Sequence, residues 1–323
     1  MQIAIQGDDL QSLKLTSDTS LFIATYLAAA GQRIFWYQPD TLTYLDSNFL
    51  VSGVYIECVY DDENHLQYNI TSDYLEMNLS TFSCILIRQN PPVNMQYIAS
   101  THLLSLFQSQ HPQIFFMNDP AVLRNEVEKL LPITISTAIN QPTIIPPTLI
   151  SSNYNQIINF LNLHSQIVLK PIYGYGGQDV ITLSKKDNLQ LIKEYLAIQQ
   201  KMPIIAQKFL SEVYHGDKRV LVCDGAIIGT VGRKPAMNNF LTNTSAGGRI
   251  CGATLSQNEE IICQKVAMEL KKRNIFFAGI DLIGEYITEI NITSPTLLMA
   301  LSGQKKVIQG FIDKLLVKCL SNR

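Results

Sequence analysis

Residues 288–296 read Thr288-Glu289-Ile290-Asn291-Ile292-Thr293-Ser294-Pro295-Thr296. Even spacing puts Glu289 and Asn291 on one face of a strand, with apolar neighbours beside them. Just upstream, residues 276–283 form an apolar run that contains Asp281, and Gly284-Glu285 separates this run from residues 286–290. The two segments read as a β-hairpin. Two carboxylates and an amide oxygen on adjacent strands make a hard-oxygen set suited to Mg²⁺, which takes few protein ligands and stays in contact with substrate phosphates. A solvated polar face is the competing reading. Carboxylates inside apolar runs argue against it, because their burial without a cation is costly.

Upstream of this hairpin lies a second one, residues 218–222 and 226–231 around the tight turn Asp224-Gly225. An amphipathic helix over 259–273 joins the two hairpins, and residues 305–319 suggest a closing helix. The central hairpin starts at Gly216-Asp217-Lys218-Arg219 and is followed by Arg233 and by Gly247-Gly248-Arg249. Three arginines near two strand ends can gather phosphate and carboxylate groups through planar, bidentate contacts. For any single arginine, surface solubility is the simpler account. Residues 233–249 are rich in Asn, Thr, Ser and Gly, as expected for a long mobile flap.

Further toward the N-terminus, a strand at 166–170 leads into Lys170-Pro171-Ile172-Tyr173-Gly174-Tyr175-Gly176-Gly177. Glycines let backbone N–H groups approach phosphate oxygens, and a lysine beside the loop offsets nucleotide charge. The loop lacks the Gly-Lys-Ser/Thr ending of a P-loop and the Rossmann glycine spacing. A helix over 189–198 and a strand over 203–207 follow. Pro132, Pro142, Pro146 and Pro147 mark the entrance to this region. Before them come a strand at 2–6, a helix capped by Ser17 or Asp18, a strand at 33–37, a strand at 83–88, a helix over 97–107 and a strand at 113–117. That order is an open α/β domain.

The chain has 323 residues, 46% of them apolar, with 25 Lys and Arg against 27 Asp and Glu. Near-neutral charge without a basic block gives no nucleic-acid or anionic-membrane footprint, so small-molecule chemistry leads. Residues 1–6 lack the features of a signal peptide, and no apolar run reaches membrane-spanning length. The six cysteines are far apart, which points to a reduced, cytoplasmic chain without a zinc or dithiol motif. The five histidines are scattered and no Ser or Cys sits in a nucleophile elbow, so triad hydrolysis and zinc catalysis are disfavoured.

Taken together, these segments resemble the prokaryotic glutathione synthetases of the ATP-grasp superfamily. The resemblance rests on residues 216–219 and 288–296, on Arg88 with Pro91-Pro92, on Asn118-Asp119-Pro120 leading to Arg124 and Glu128-Lys129-Leu130, on Lys170-Pro171 with Gly174-Tyr175-Gly176-Gly177, and on Ala206-Gln207 with Leu210. It implies an N-terminal α/β domain (1–122), a central lid domain (123–202) and a C-terminal domain (203–323) carrying the flap 233–249, with ATP between the last two. Lys129 and Lys170 would contact phosphates beside Tyr175, Gly176 and Gly177, and Gln207, Lys208, Phe209 and Leu210 would line the adenine pocket. Asp217 would hold the ribose. Asp281, Glu289 and Asn291 would coordinate Mg²⁺, with Mn²⁺ as a substitute, and Arg219 and Arg249 would stabilise the transferring phosphoryl group. Asp18, Arg88, Arg233, Asn243, Gly247 and Gly248 would bind the substrates γ-glutamylcysteine and glycine. The implied reaction is ATP-dependent amide ligation through an acyl phosphate, in a self-associating protein.

The chain departs from the family at several places. An arginine and a glycine precede the flap asparagine in the family, whereas Leu241-Thr242 precede Asn243 here. After Thr-Ser-Pro-Thr the family continues with cysteine, an aliphatic residue, arginine and glutamate, where this chain has Leu297-Leu298-Met299-Ala300. Asn90 and Val127 replace a family acid and a family asparagine. Another carboxylate–amine ligase, or a nucleotide-binding protein without turnover, are the alternatives these changes leave open.

Overall fold

The computed structural model describes residues 1–61, 63, 65–187, 189–237 and 239–321, so residue 238 of the expected flap lies outside the described residues. The chain builds three sheets. The first contains β1 (Gln2–Gln6), β2 (Arg33–Tyr37), β3 (Thr43–Leu45), β4 (Asn48–Tyr60), β5 (Leu66–Ile70), β6 (Leu75–Asn78), β7 (Cys84–Ile87) and β8 (Phe115–Met117). β1 pairs in parallel with β2 and β7, and β7 with β8. Parallel neighbours need crossovers, and α1 (Thr19–Ala29) and α2 (Met95–Gln110) provide helical ones. Ile3 and Ile5 pack with Leu21 and Phe22 of α1, while Ala4 packs on the opposite face with Tyr97 and Leu104 of α2. Burial on both faces is why β1 reads as almost continuously apolar. Of the two candidate caps, Asp18 closes α1, accepting from Leu21 N at 2.8 Å.

After α3 (Pro120–Asn125) and α4 (Leu131–Ala138), the second sheet runs β11-β10-β12-β9, all antiparallel. Its strands are β9 (Thr148–Ser151), β10 (Gln166–Pro171), β11 (Ile181–Ser184) and β12 (Ile204–Lys208), with α5 (Tyr154–His164) and α6 (Gln190–Ile198). Ile167, Leu169, Ile204 and Ala206 face the helices and pack on Ile157, Leu161 and Ile192. The two-residue period therefore sends Val168, Lys170 and Gln207 to the other side.

We propose that the central part ends after β12 and not at the expected 202/203. β12 hydrogen-bonds to β10 and β9, so the sheet extends to Lys208. Leu131, Ile135 and Ile144, which follow the expected start at 123, share one core with Ala4 and Phe35 of the first sheet and with Ile280 and Ile287 of the third. Backbone pairing and burial across distant segments set these limits, and local composition does not report them.

The third sheet runs β15-β14-β13-β16-β17. It consists of β13 (Asp217–Cys223), β14 (Ala226–Lys234), β15 (Arg249–Gly252), β16 (Phe277–Ile283) and β17 (Tyr286–Asn291), with α7 (Gln257–Lys272) and the closing α8 (Lys305–Ser321). Ser256 and Glu259 form a capping box at the start of α7. Val220, Val222, Ala278 and Ile280 pack toward α7, and Leu221, Cys223 and Phe277 pack toward Ile308, Phe311 and Leu315 of α8. The face covered by α8 at one end is left polar at the other, where Asp217, Arg219, Asp281 and Glu289 stand. Among the described residues no helix is long and apolar enough to cross a membrane.

Candidate active site

The polar end of the third sheet is arranged by register. Arg219, Asp281 and Glu289 lie opposite one another on β13, β16 and β17, and Asp217 lies opposite Arg233. Arg219 grips Asp281 in a bidentate pair, with Nε to Oδ1 at 2.7 Å and Nη2 to Oδ2 at 2.6 Å, and Nη1 donates to Thr296 Oγ1 at 3.1 Å. Gly279 makes this possible, since a Cβ there would stand 3.2 Å from Arg219 Cδ. Arg233 donates Nε to Asp217 Oδ1 at 2.8 Å and bridges through Nη2 to Asp281 Oδ2 at 3.0 Å. Asn291 Nδ2 adds a bond to the same Oδ2 at 3.1 Å. Burial alone would raise the Asp281 carboxyl, but Arg219 and Arg233 outweigh it and hold the group at about 2.

Two amines face this floor. Lys170 Nζ donates to Gln207 Oε1 at 2.9 Å, and burial pushes its ammonium down to about 8 against the opposing pull of Glu289. Lys129, 9% exposed, donates to the carbonyl of Gly174 and lies 3.9 Å from Glu289 Oε1. Glu128 points the other way. Its Oε1 accepts from Ile292 N at 2.6 Å, Thr293 N at 2.8 Å and Thr293 Oγ1 at 2.9 Å, and burial raises its carboxyl above the usual range. That carboxylate holds the turn after Asn291 in place.

The space between the sheets forms two chambers. One, about 830 Å³ including open solvent, is lined by Val168, Lys170, Gln207, Phe209, Leu210 and the flap residue Phe240. The other, about 1260 Å³ on the same measure, is lined by Asn90, Glu128, Arg219, Asn291, Ser294 and Leu297. Tyr175, Gly176, Arg233, Asn243 and Glu289 line both and mark their junction. The first has the mixed apolar and polar lining of a small-molecule site.

Among the described residues no group of three or more His, Cys, Asp and Glu side chains converges as a metal site. The candidate set is two carboxylates and an amide, which fits a hard divalent cation that keeps few protein ligands. The electrostatics agree: buried Asp281 draws two guanidinium groups, and Glu289 has an amine at 3.9 Å. Positive charge is what this floor demands.

The prokaryotic glutathione synthetase N-terminal domain matches residues 1–124, and the ATP-grasp domain of the same enzymes matches residues 134–306. The chain belongs to the prokaryotic glutathione synthetase family. Its relatives include the glutathione synthetase of Agrobacterium fabrum, 36% identical over 295 residues that cover 91% of this chain and 89% of that protein. Another is the glutathione synthetase of Brucella melitensis biotype 1, 34% identical over 92% of this chain and 91% of that one. Among solved structures, the D-cycloserine synthetase DcsG superposes with a TM-score of 0.65 at 14% identity, covering 98% of this chain and 100% of that one. The ATP-grasp ligase PsnB superposes with a TM-score of 0.62 at 15% identity, covering 98% of each. These likenesses establish the ATP-grasp fold.

Several residues expected in the glutathione synthetase site converge, and others do not. Lys129, Lys170, Tyr175, Gly176, Gly177, Gln207, Lys208, Phe209, Leu210 and Asp217 all line the first chamber. Asp217 accepts from Arg233 at both oxygens and from Thr242 Oγ1 at Oδ2, at 2.6 Å, and Oδ1 with its single bond keeps acceptor capacity toward the chamber.

Arg249, expected beside the transferring phosphoryl group, lines neither chamber; it is exposed and lies opposite Lys234 in the β14–β15 pair. Gly247 and Gly248 line neither chamber and instead turn the chain. Gly247 has φ +87°, and a Cβ on Gly248 would fall 2.0 Å from the Thr242 carbonyl oxygen. Arg88, 3% exposed, donates to Ser20 Oγ and the Pro295 carbonyl, each at 3.0 Å, so it ties α1 to the 294–295 turn. Asp18 caps α1 and does not reach either chamber.

Glu128, Phe240 and Thr242 were outside the expected site. A carboxylate directly before Lys129 was a usable signal for Glu128, whereas an apolar and a hydroxyl residue inside a flap carry none. The substituted positions also separate: Leu241 lines the first chamber and Leu297 the second, but Met299 packs on the apolar cluster of α8.

Proposed function

We propose that the chain makes glutathione, joining the carboxylate of γ-glutamylcysteine to the amine of glycine at the expense of ATP. The observation that carries this reading is the junction of two chambers at Arg233, Asn243 and Glu289. A nucleotide in the first chamber can present its terminal phosphate to a carboxylate in the second. The carboxylate oxygen attacks the terminal phosphorus and ADP leaves. The amine nitrogen then attacks the acyl carbon, phosphate leaves, and the amine gives up a proton.

This reaction needs no covalent nucleophile from the chain, whose work is positioning and charge stabilisation. Lys129 and Lys170 bind phosphate oxygens, the Gln207–Leu210 segment holds the base, and Arg219 and Arg233 neutralise charge at the junction. Asp281, Glu289 and Asn291 would hold the divalent cation, which we assign as Mg²⁺ with Mn²⁺ as a substitute. When bound, that ion neutralises phosphate charge. The flap excludes water from the acyl phosphate. Cytoplasmic location and self-association are part of the same proposal, supported by family resemblance.

The test is ADP release with Mg²⁺·ATP, γ-glutamylcysteine and glycine, each omitted in turn, with the product identified by mass. Release that requires every component and yields glutathione supports the reading. Release that ignores either amino-acid substrate sinks it and redirects the search to other acyl donors and amines.

A further inference from the structure

We infer that Glu128 seats the amine of the acceptor substrate and takes its proton, an inference that rests on the glutathione reading. The side chain is held by one oxygen and open at the other. Oε1 accepts from Ile292 N, Thr293 N and Thr293 Oγ1, at 2.6, 2.8 and 2.9 Å, and the Glu128 carbonyl accepts from Ile290 N at 3.1 Å. Oε2 accepts no hydrogen bond among the described residues, and it is not sealed off from solvent. Both spaces that Glu128 lines, the second chamber and a recess that shares Pro91, Tyr175 and Thr293 with it, lie on the substrate side. Oε2 is therefore an aimed acceptor with its capacity unused.

Adjacent residues divide the two chambers. Lys129 lines the first and not the second, and Glu128 the second and not the first. Among the described residues that line the second chamber, Glu128 and Glu289 are the only carboxylates. Glu289 lies 3.9 Å from Lys129 and belongs to the candidate cation set, whereas no cationic side chain among the described residues pairs with Glu128. Arg219 and Arg233 on the same walls are bound to acids and repel an ammonium. An α-ammonium is mostly protonated at neutral pH and has no lone pair to offer. A carboxylate is the group that draws it in and accepts its proton. One proton passes from nitrogen to Oε2, the freed electron pair forms the bond to the acyl carbon, and the carbon–oxygen bond to phosphate breaks. Phosphate leaves with that electron pair, and the second proton departs from nitrogen as the amide forms.

The experiment gives wild type and Glu128→Gln the same Mg²⁺·ATP and γ-glutamylcysteine with two nucleophiles, glycine and hydroxylamine. Glutamine can keep its oxygen on the three donors, which puts an NH₂ donor where Oε2 stood. Glycine should then be used about 100-fold less well in kcat/KM. Hydroxylamine is neutral at assay pH, with no charge to pair and no proton to lose before attack. Hydroxamate formed with it should stay within about twofold of wild type, because the acyl phosphate still forms. Thr293→Val removes one of the bonds that aim the carboxylate, should give the same split in smaller measure, and carries the test if glutamine prevents folding. Glycine use at the wild-type level in Glu128→Gln, or equal loss of hydroxamate and glutathione in either variant, overturns the role of Glu128. A wild type that forms no glutathione overturns the glutathione reading itself, and Glu128 falls with it.

Discussion

Asp281 and Glu289 face each other across the β16–β17 register, yet they sit in opposite electrostatic settings. Asp281 is neutralised by Arg219 and Arg233, while Glu289 is half-buried with Lys129 at 3.9 Å. A cation held by both would share Asp281 with two guanidinium groups but meet Glu289 with only an amine nearby.

Glu289→Gln should therefore separate catalysis from folding. Metal-dependent nucleotide affinity, measured by calorimetry with and without the divalent ion, should fall at least tenfold, while the thermal midpoint moves by a few degrees at most. Equal losses in both would make Glu289 a structural residue.

Removing Arg219 has the reverse balance. Arg219→Met leaves Asp281 buried with one guanidinium in place of two, and breaking a buried pair costs about 3 kcal/mol or more. Chemical unfolding should report that loss in the nucleotide-free protein. Unchanged stability would mean Arg233 alone satisfies the carboxylate.

Nucleotide binding should weaken above pH 8. Lys170 loses its proton near pH 8 in the free protein, because burial disfavours the charged form. Phosphate binding selects the protonated form, so apparent affinity is full below pH 8 and falls about tenfold for each unit above it. Calorimetry at pH 9 in buffers of different ionisation enthalpy should reveal uptake of a proton on binding, and Lys170→Arg should remove both effects. A flat affinity between pH 7 and 9 would contradict this.

Asn118 should be worth more to stability than a loop asparagine. Its Nδ2 donates to the carbonyls of Phe277 and Ile292 at 2.8 and 2.7 Å, and its Oδ1 accepts from the amides of Phe276 and Phe277 at 2.8 Å each. Asn118→Ala leaves four buried backbone groups without that partner, an expected loss of about 3 kcal/mol in chemical unfolding. A loss below about 1 kcal/mol would mean water replaces the amide.

Much of this architecture is legible in the sequence. The apolar runs at 2–6, 166–170 and 276–283, the Asp224-Gly225 turn and the cap at Asp18 all act within a few residues, and each corresponds to an element at nearly the same limits. The antiparallel extension β3 to β6 is the exception: β3 is exposed and short, but β4 carries a two-residue period, with Phe49, Val51 and Tyr55 buried, that was a usable signal. β9 was hidden by the prolines before it, and its pairing with β12 spans more than fifty residues.

The sequence by itself determined that Glu289 and Asn291 share a face, that Lys170 ends a strand before a glycine loop, and that arginines cluster around the central hairpin. Those facts follow from a two-residue period and from chain order. Only the tertiary structure decided which guanidinium meets which carboxylate. It brings Arg219 to Asp281 across 62 residues and Arg88 to Pro295 across 207, and it leaves Arg249 on an exposed edge. The physical reason is that strand register and burial in a shared core fix these partners, and both are properties of segments distant in the chain.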